Sequence, residues 1–387
     1  MAALGVSAPV VWRRLGFALS VLGPGLVVMA GDNDAGGLLS YVTTGVHFGA
    51  GVFVPLLVPL GLAAWVAQDM ALRLGLGTGR GLATLIRERF SASWARLAAL
   101  DLAAQNWLTL LTEFAGMRVG LARLGVPALW ALPAACALVL WLALAFPYRV
   151  AERLAVGLGL SSLVLLPLAL TGWAHKGAAV WTLHHDGDLH LFVLAAVGNA
   201  LAPWMTFFQT DASAQHQGSL GAARLDLTLG AAVQVVVAAS VLLLGAAGGG
   251  PQAPGLGGVI FAFALFEAGL MAALTVSLST AWAVGEVLAP APLAHGAWSG
   301  RVQALWAAGV VAAAAALLLP GVDPTALSVW VQAASAVLMP PVLAMLLVMT
   351  NQDWLPSRLR NSPAANAAGL AVLAMFGGAS LWMLVRG

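Results

Sequence analysis

Charge is what this chain lacks most: of 387 residues only 17 are Lys or Arg and 15 Asp or Glu, 8% in all against a hydrophobic share of 61%. Soluble domains carry about 25% charged residues, and 32 charges cannot cover the surface of a soluble protein this size. The shortage argues against a soluble enzyme, a disordered chain and a nucleic-acid binder, and the net charge of +2 is too small to name a partner. Cysteine is nearly absent as well. Cys136 stands alone in the apolar run AACALVLWLALAF, which excludes a disulfide framework and a cysteine-based zinc or redox centre. A cleavable signal peptide is not expected: the apolar segment after Arg13 and Arg14 contains Asp32 and Asp34 and lacks a clean small-residue cleavage site.

Apolar length is what the chain has. A hydrocarbon core about 30 Å thick needs about 20 apolar residues in a helix. Eleven such segments are expected, over 13–46, 51–73, 97–122, 126–146, 151–173, 189–218, 226–248, 257–288, 301–320, 325–350 and 363–385. Runs such as GVFVPLLVPLGLAAWV do not alternate apolar with polar residues, so barrel strands are excluded. The expectation is one all-α integral membrane domain, 1–387, with short connections. With the N-terminus inside, 13 Lys and Arg fall on the inner side and four (Arg118, Arg123, Lys176, Arg386) on the outer, which by the positive-inside rule puts the N-terminus in the cytoplasm and the C-terminus outside. Arg118 and Arg123 go against that rule. Tryptophans near span ends, such as Trp12, Trp94, Trp173 and Trp354, fit an interfacial belt, and the basic run RERFSASWAR reads as an anchor to anionic lipid.

Two spans are unlike the rest. The first contains GPGLVVMAGDNDAGG, with three glycines, two carboxylates and an Asn between Gly31 and Gly37. Asp is costly in hydrocarbon, and such a stretch persists only where unwound backbone faces protein or water. The sixth contains GNALAPWMTFFQ, where Pro203 removes a helical donor and clashes with the preceding turn; a break is expected near Asn199–Ala202. The breaks lie about 170 residues apart, each opening a set of five spans. Five is odd, so the second set runs upside down relative to the first. The expected arrangement is two inverted repeats, 13–173 and 189–350, with an additional eleventh helix at 363–385, which is the sequence signature of a secondary transporter.

At these residues the chain resembles the natural resistance-associated macrophage protein (NRAMP) family of divalent-metal transporters, and more closely its prokaryotic NRAMP-related magnesium branch. The family's D-P-G-N motif falls on Asp34, Ala35, Gly36 and Gly37; RLGLGTGRGLATLIRERF (73–90), LTEFAG (111–116, with Glu113), YRVAER (148–153), APWMTFFQ (202–209) and ALTVSLSTAWAVGEV (273–287) resemble further family segments. The resemblance implies a LeuT-type fold with broken helices 1 and 6, alternating access, a prokaryotic cytoplasmic membrane, and a divalent ion as substrate, with no cofactor and no obligatory protein partner. It also implies a metal site at Asp34, Gly37, Asn199 and Ala202, with Asp32 nearby. Gly37 stands where the family has a ligating Asn, Ala202 where it has a ligating Met, Trp204 where it has a His linked to proton movement, and Met339 where it has a tenth-helix glutamine.

These departures have physical content. Soft thioether ligands favour Mn²⁺ and Fe²⁺ over Mg²⁺ and Ca²⁺, and Ala202 offers none. Asp34, Asp32, the Asn33 side chain and carbonyls around Gly37 and Asn199 are hard oxygen donors. Mg²⁺ takes such donors and keeps several waters, so the expected cargo is partly hydrated Mg²⁺, with Mn²⁺ accepted. Trp204 cannot titrate, and Leu110 lies one turn before Glu113 where the family is acidic, so obligatory proton coupling is not expected. Glu113 reads as a pathway acid or a clamp on the unwound first helix. Glu267 reads as a pathway or packing acid, and Thr206 and Gln209 as donors to ion-bound water or as helix cross-links. Asp226 reads as a cap or an inner salt bridge, and the HHDGDLH loop as solvated. Two other readings stay open: a proton-coupled Mn²⁺/Fe²⁺ transporter, and a Na⁺-coupled amino-acid symporter of the same fold.

Overall fold

The structure is a computed structural model that describes residues 23–145, 148–184, 188–215, 218–288 and 300–386. Among the described residues it is wholly helical. The first segment is two helices, α1 (Pro24–Gly31) and α2 (Ala35–Phe48). Next come α3 (Phe53–Thr78), the short α4 (Leu82–Arg89), α5 (Ala92–Arg123) and α6 (Ala128–Ala145). The fifth segment is α7 (Tyr148–Ser161) and α8 (Leu165–Lys176), joined through a 3₁₀ turn at Ser162–Val164. The sixth is again two helices, α9 (Leu189–Ala200) and α10 (Pro203–Gln215). Then follow α11 (Leu220–Ala246), α12 (Gly255–Leu288), α13 (Gly300–Ala316), α14 (Pro324–Met349) and α15 (Pro363–Arg386).

Eight stretches among the described residues are long and apolar enough to cross a membrane. Three of the eleven expected segments fall short of that mark. The first is broken, α5 carries Arg96, Asp101, Glu113, Arg118 and Arg123, and α13 has 17 described residues. Trp12, Arg13, Arg14, His185 and Asp186 lie outside the described residues.

Both breaks arise locally. α1 opens on Pro24, whose fixed φ suits the first helical position. Asp34 then stands in extended conformation (φ −70°, ψ 170°) as the N-cap of α2, accepting from the Gly37 N–H. In the sixth segment Leu201, the C-cap of α9, is extended (φ −157°, ψ 114°) and Pro203 starts α10; the proline disfavours helical conformation at Ala202 before it, which keeps the two helices separate.

Close backbone packing holds the broken first segment in place. At the α2–α11 crossing, a Cβ on Gly45 would stand 2.8 Å from the Ala246 nitrogen, and one on Gly245 2.9 Å from the Val42 carbonyl carbon. Small residues at such crossings let helices approach when both sides are equally apolar. The start of α1 is tied to α11 by charge. Asp226 accepts from the N–H groups of Gly23 (2.9 Å), Gly25 (2.7 Å) and Leu26 (3.2 Å). Of the two readings for Asp226, the structure therefore has the cap, and Arg224 instead pairs with Asp69 (2.7 Å). Arg73 joins that pair and donates to the Leu359 carbonyl and to Asn361 (both 2.7 Å). At the opposite end, Arg118 and Arg123 donate to the carbonyls of Leu317 (2.9 Å) and Ala253 (3.2 Å), so the two exceptions to the charge rule cap main-chain acceptors.

Candidate functional site

The two breaks meet in the middle of the bundle. Asp32, Asn33, Asp34, Asn199 and Ala202 are all buried, at 1–5% exposure. The Asp34 carboxylate caps α2 and also accepts from Gln332 Nε2 of α14 (3.2 Å). A Cβ on Gly37 would stand 3.0 Å from both Asp34 Oδ1 and Asn199 Nδ2. The space an Asn side chain at position 37 would need is therefore filled from the other broken helix by Asn199, whose amide donates to the Gly37 carbonyl (3.4 Å). That carbonyl, expected as an ion donor, is thus already engaged.

Asp32 faces elsewhere. It accepts from Gln234 of α11, and the same Gln234 Nε2 donates to the Ala200 carbonyl at the second break (3.0 Å). Asn33 in turn donates to the Gln234 main-chain oxygen (3.1 Å). Gln234 thus ties the first break to the second, and no partner is shared by Asp32 and Asp34. Buried side-chain oxygens of Asn33, Asn199 and Gln234 have no hydrogen-bond partner among the described residues.

Glu113, on α5, accepts from the Ala35 N–H (2.9 Å) at the first turn of α2 and lies beside Asp34. It has the clamp geometry, since it satisfies unwound main chain next to the site. Trp204 is 1% exposed and its ring comes to 3.2 Å from where a Cβ on Gly31 would stand. It closes the space between α1, α10 and α12 with indole. Thr206 bonds back to the Pro203 carbonyl (2.8 Å) and Gln209 to Ser213 (2.8 Å), both within α10, so neither cross-links two helices through these bonds. Glu267 is held by Ser161 and by Ser162 (3.0 Å) at the α7–α8 turn, which is the packing role.

The α14 glutamine that touches Asp34 is Gln332, whereas Met339, the position the resemblance gives to the family's glutamine, lies two turns further along α14 and is fully buried. Ser328, Gln332 and Ser335, all buried, form a polar stripe on an apolar helix that could have located it. A lone Gln in GAAVQVVVAAS was the corresponding signal for Gln234. The sequence reading also missed Met205: its sulfur accepts from the Ala202 N–H (3.3 Å) and so brings a thioether to the second break. Among the described residues no group of three or more His, Cys, Asp and Glu side chains is placed to hold a metal ion.

The chain matches the family described as natural resistance-associated macrophage protein-like over residues 25–386. It is 27% identical over 259 residues to the divalent metal cation transporter MntH of Ralstonia nicotianae, covering 61% of this chain and 57% of that protein. The match to MntH of Deinococcus radiodurans is similar, 27% over 263 residues, covering 63% and 58%. The aligned stretch thus spans a little over half the length of these relatives. Among solved structures, the manganese transporter of Eremococcus coleocola superposes with a TM-score of 0.77 at 18% identity, covering 98% of this chain and 88% of that one. MhsT in complex with L-phenylalanine gives 0.61 at 15% identity, covering 93% and 97%. These likenesses establish the LeuT-type fold. With its sequence matched nearly end to end, the chain belongs to the natural resistance-associated macrophage protein-like family.

Proposed function

We propose that the chain carries a divalent metal ion across a prokaryotic cytoplasmic membrane by alternating access, with Mg²⁺ preferred and Mn²⁺ accepted, as a partly hydrated ion and without obligatory proton coupling. The observation that carries the reading is the Asp34 carboxylate, buried at the first break and surrounded by the amides of Gln332 and Asn199. These groups offer oxygen, which suits a hard cation. The unpartnered oxygens of Asn33 and Asn199 suit the hydrogens of ion-bound water. The named relatives, a divalent metal cation transporter and a manganese transporter, agree with the substrate class. The eleven-span count, the two five-helix repeats and the cytoplasmic N-terminus belong to the same proposal. Reciprocal packing supports the repeats: α3 lies on α10 as α11 lies on α1 and α2, while α5 and α12 pack on each other. The cluster of Arg73, Arg224, Arg87, Arg89 and Arg360 at one end supports the orientation. Moving a divalent ion inward through 100 mV gains about 4.6 kcal/mol, from about 2.3 per charge, enough to concentrate it without protons. The test is Mg²⁺ uptake into proteoliposomes: Asp34→Ala abolishes it, and uptake at the wild-type rate overturns the assignment.

One observation favours a second reading, in which Mn²⁺ is the better substrate. Met205 Sδ lies at the second break, and thioethers select softer ions. Its sulfur faces the Ala202 N–H, where it caps main chain, and for that reason the Mg²⁺ reading is preferred. Amino-acid symport is disfavoured because Asp34 would repel a substrate carboxylate.

A further inference from the structure

Helix α4 begins without a cap of its own. Its N-cap residue is Gly81, in extended conformation (φ −74°, ψ 160°). The free N–H groups are capped instead from two distant helices. Asp211, near the end of α10, accepts from the Leu82 N–H (2.9 Å). Glu286, near the end of α12, accepts from the Thr84 N–H (2.8 Å) and hydroxyl (2.9 Å). Both acids converge on Gly81: Asp211 Oδ1 lies 2.6 Å from where a Cβ would stand, and Glu286 Oε1 reaches the same place.

Capping engages one oxygen of each acid. Asp211 Oδ2 is left buried with no partner among the described residues, on a residue 1% exposed. Of the basic groups nearby, Arg87 donates to the Glu286 main-chain oxygen (3.0 Å) and its charge acts on the Glu286 carboxylate, while Arg80 pairs with Glu88 and Arg73 and Arg224 share Asp69; one guanidinium offsets at most part of two acids. Two carboxylates this close repel strongly in a low-dielectric setting, and a helix N-terminus contributes only about half a positive charge. Glu286 is only partly buried, so the pair has an edge that an ion can reach.

We propose that Asp211 and Glu286, with the Thr84 hydroxyl, form a second divalent-cation site, separate from Asp34, that takes a hard ion such as Mg²⁺ or Mn²⁺. Two carboxylates and a hydroxyl, completed by water, are the donors such ions use. An ion there ties α4, α10 and α12 together. Because α10 is the inner half of a broken helix, this couples occupancy to the stability of that end of the bundle, a consequence that rests on the transport reading while the binding itself does not.

The test is Mn²⁺ titration of the purified full chain, followed by the electron paramagnetic resonance signal of free Mn²⁺ and competed with Mg²⁺. Asp34→Ala retains a weaker phase of Mn²⁺ binding, and Asp34→Ala combined with Asp211→Asn and Glu286→Gln loses it. Equal binding by these two variants, or no binding in Asp34→Ala, overturns the second site, the latter being what a proton shared between the acids would give. Since losing both acids also removes the caps of α4, Glu286→Gln in the Asp34→Ala background is the companion variant. Its amide oxygen still accepts from Thr84, so thermal unfolding stays unchanged while residual affinity falls about tenfold; unchanged affinity refutes the proposal. Wild type binding no better than Asp34→Ala would instead refute the central site and leave this one standing.

Discussion

Asn199 supplies from α9 the amide that Gly37 lacks in α2, and this exchange can be reversed. A Cβ on residue 37 would stand 3.0 Å from Asn199 Nδ2 and from Asp34 Oδ1, tighter than ordinary van der Waals contact, so Gly37→Asn overfills the site. Overpacking of this kind costs about 1–3 kcal/mol, or about a 5- to 150-fold loss of ion affinity at 1.4 kcal/mol per decade. Asn199→Ala alone removes a long hydrogen bond of 3.4 Å, which is worth about 0.5 kcal/mol, and leaves the cavity larger. The double variant restores one amide in one space and recovers most of the lost affinity. A double-mutant cycle on calorimetric Mg²⁺ binding thus gives a coupling energy of about 1–3 kcal/mol, within the range for residues in contact. Wild-type affinity in Gly37→Asn, or a double variant no better than that single one, refutes the reasoning.

Three further outcomes follow from the same geometry. Asp226→Ala leaves three N–H groups at the start of α1 uncapped. At about 2 kcal/mol, the upper end for a cap, the helix detaches about 30-fold more often, read as faster thiol labelling of Leu26→Cys. Vesicles loaded with a pH dye show no metal-driven acidification, because indole fills the space between α1 and α12; acidification coupled to uptake contradicts this. Met205→Leu leaves the Mg²⁺-to-Mn²⁺ uptake ratio unchanged if its sulfur only caps the Ala202 N–H, and raises it if the sulfur meets the ion.

What the sequence made legible was local. Helix breaks are written in the residues that cause them, so the interruption between Gly31 and Gly37 and the break just before Pro203 could be placed from composition and backbone chemistry, whereas Asp34 as the N-cap of α2 emerges only from the structure. Contacts across 200 to 300 residues could not. Gln332 and Met339 show why: they are seven residues apart, which on a helix of 3.6 residues per turn is a rotation of only about 20°. Both therefore lie on nearly the same face of α14, and no argument from periodicity could choose between them. Depth along the bundle decides, and depth is set by how α14 packs on α9. The 3₁₀ turn in the fifth segment was hidden for a related reason. Ser161 and Ser162 read as ordinary small residues until Glu267 arrives from α12.

Asp32, Asp34 and Glu113 are all buried and, among the described residues, none of them forms an ion pair with Lys, Arg or His. Uncompensated carboxylates are costly at such depth, so each must be offset by a cation, by hydrogen bonds or by a proton. The hydrogen bonds are unequally shared. Glu113 is absorbed by the Ala35 N–H and Asp32 by an amide that also holds the opposite break. Asp34 accepts from the Gly37 N–H of its own helix and, at 3.2 Å, from Gln332, and its carboxyl also meets that of Glu113. Asp34 alone lies at the meeting point of Gly37 and Asn199, so it is the acid that an ion held between the two breaks would meet. Removing charge without changing shape separates the roles. Asp32→Asn keeps an oxygen for Gln234 and slows Mg²⁺ uptake by less than tenfold, whereas Asp34→Asn, equal in size, abolishes it. Equal loss from both would mean that the two acids hold the ion jointly.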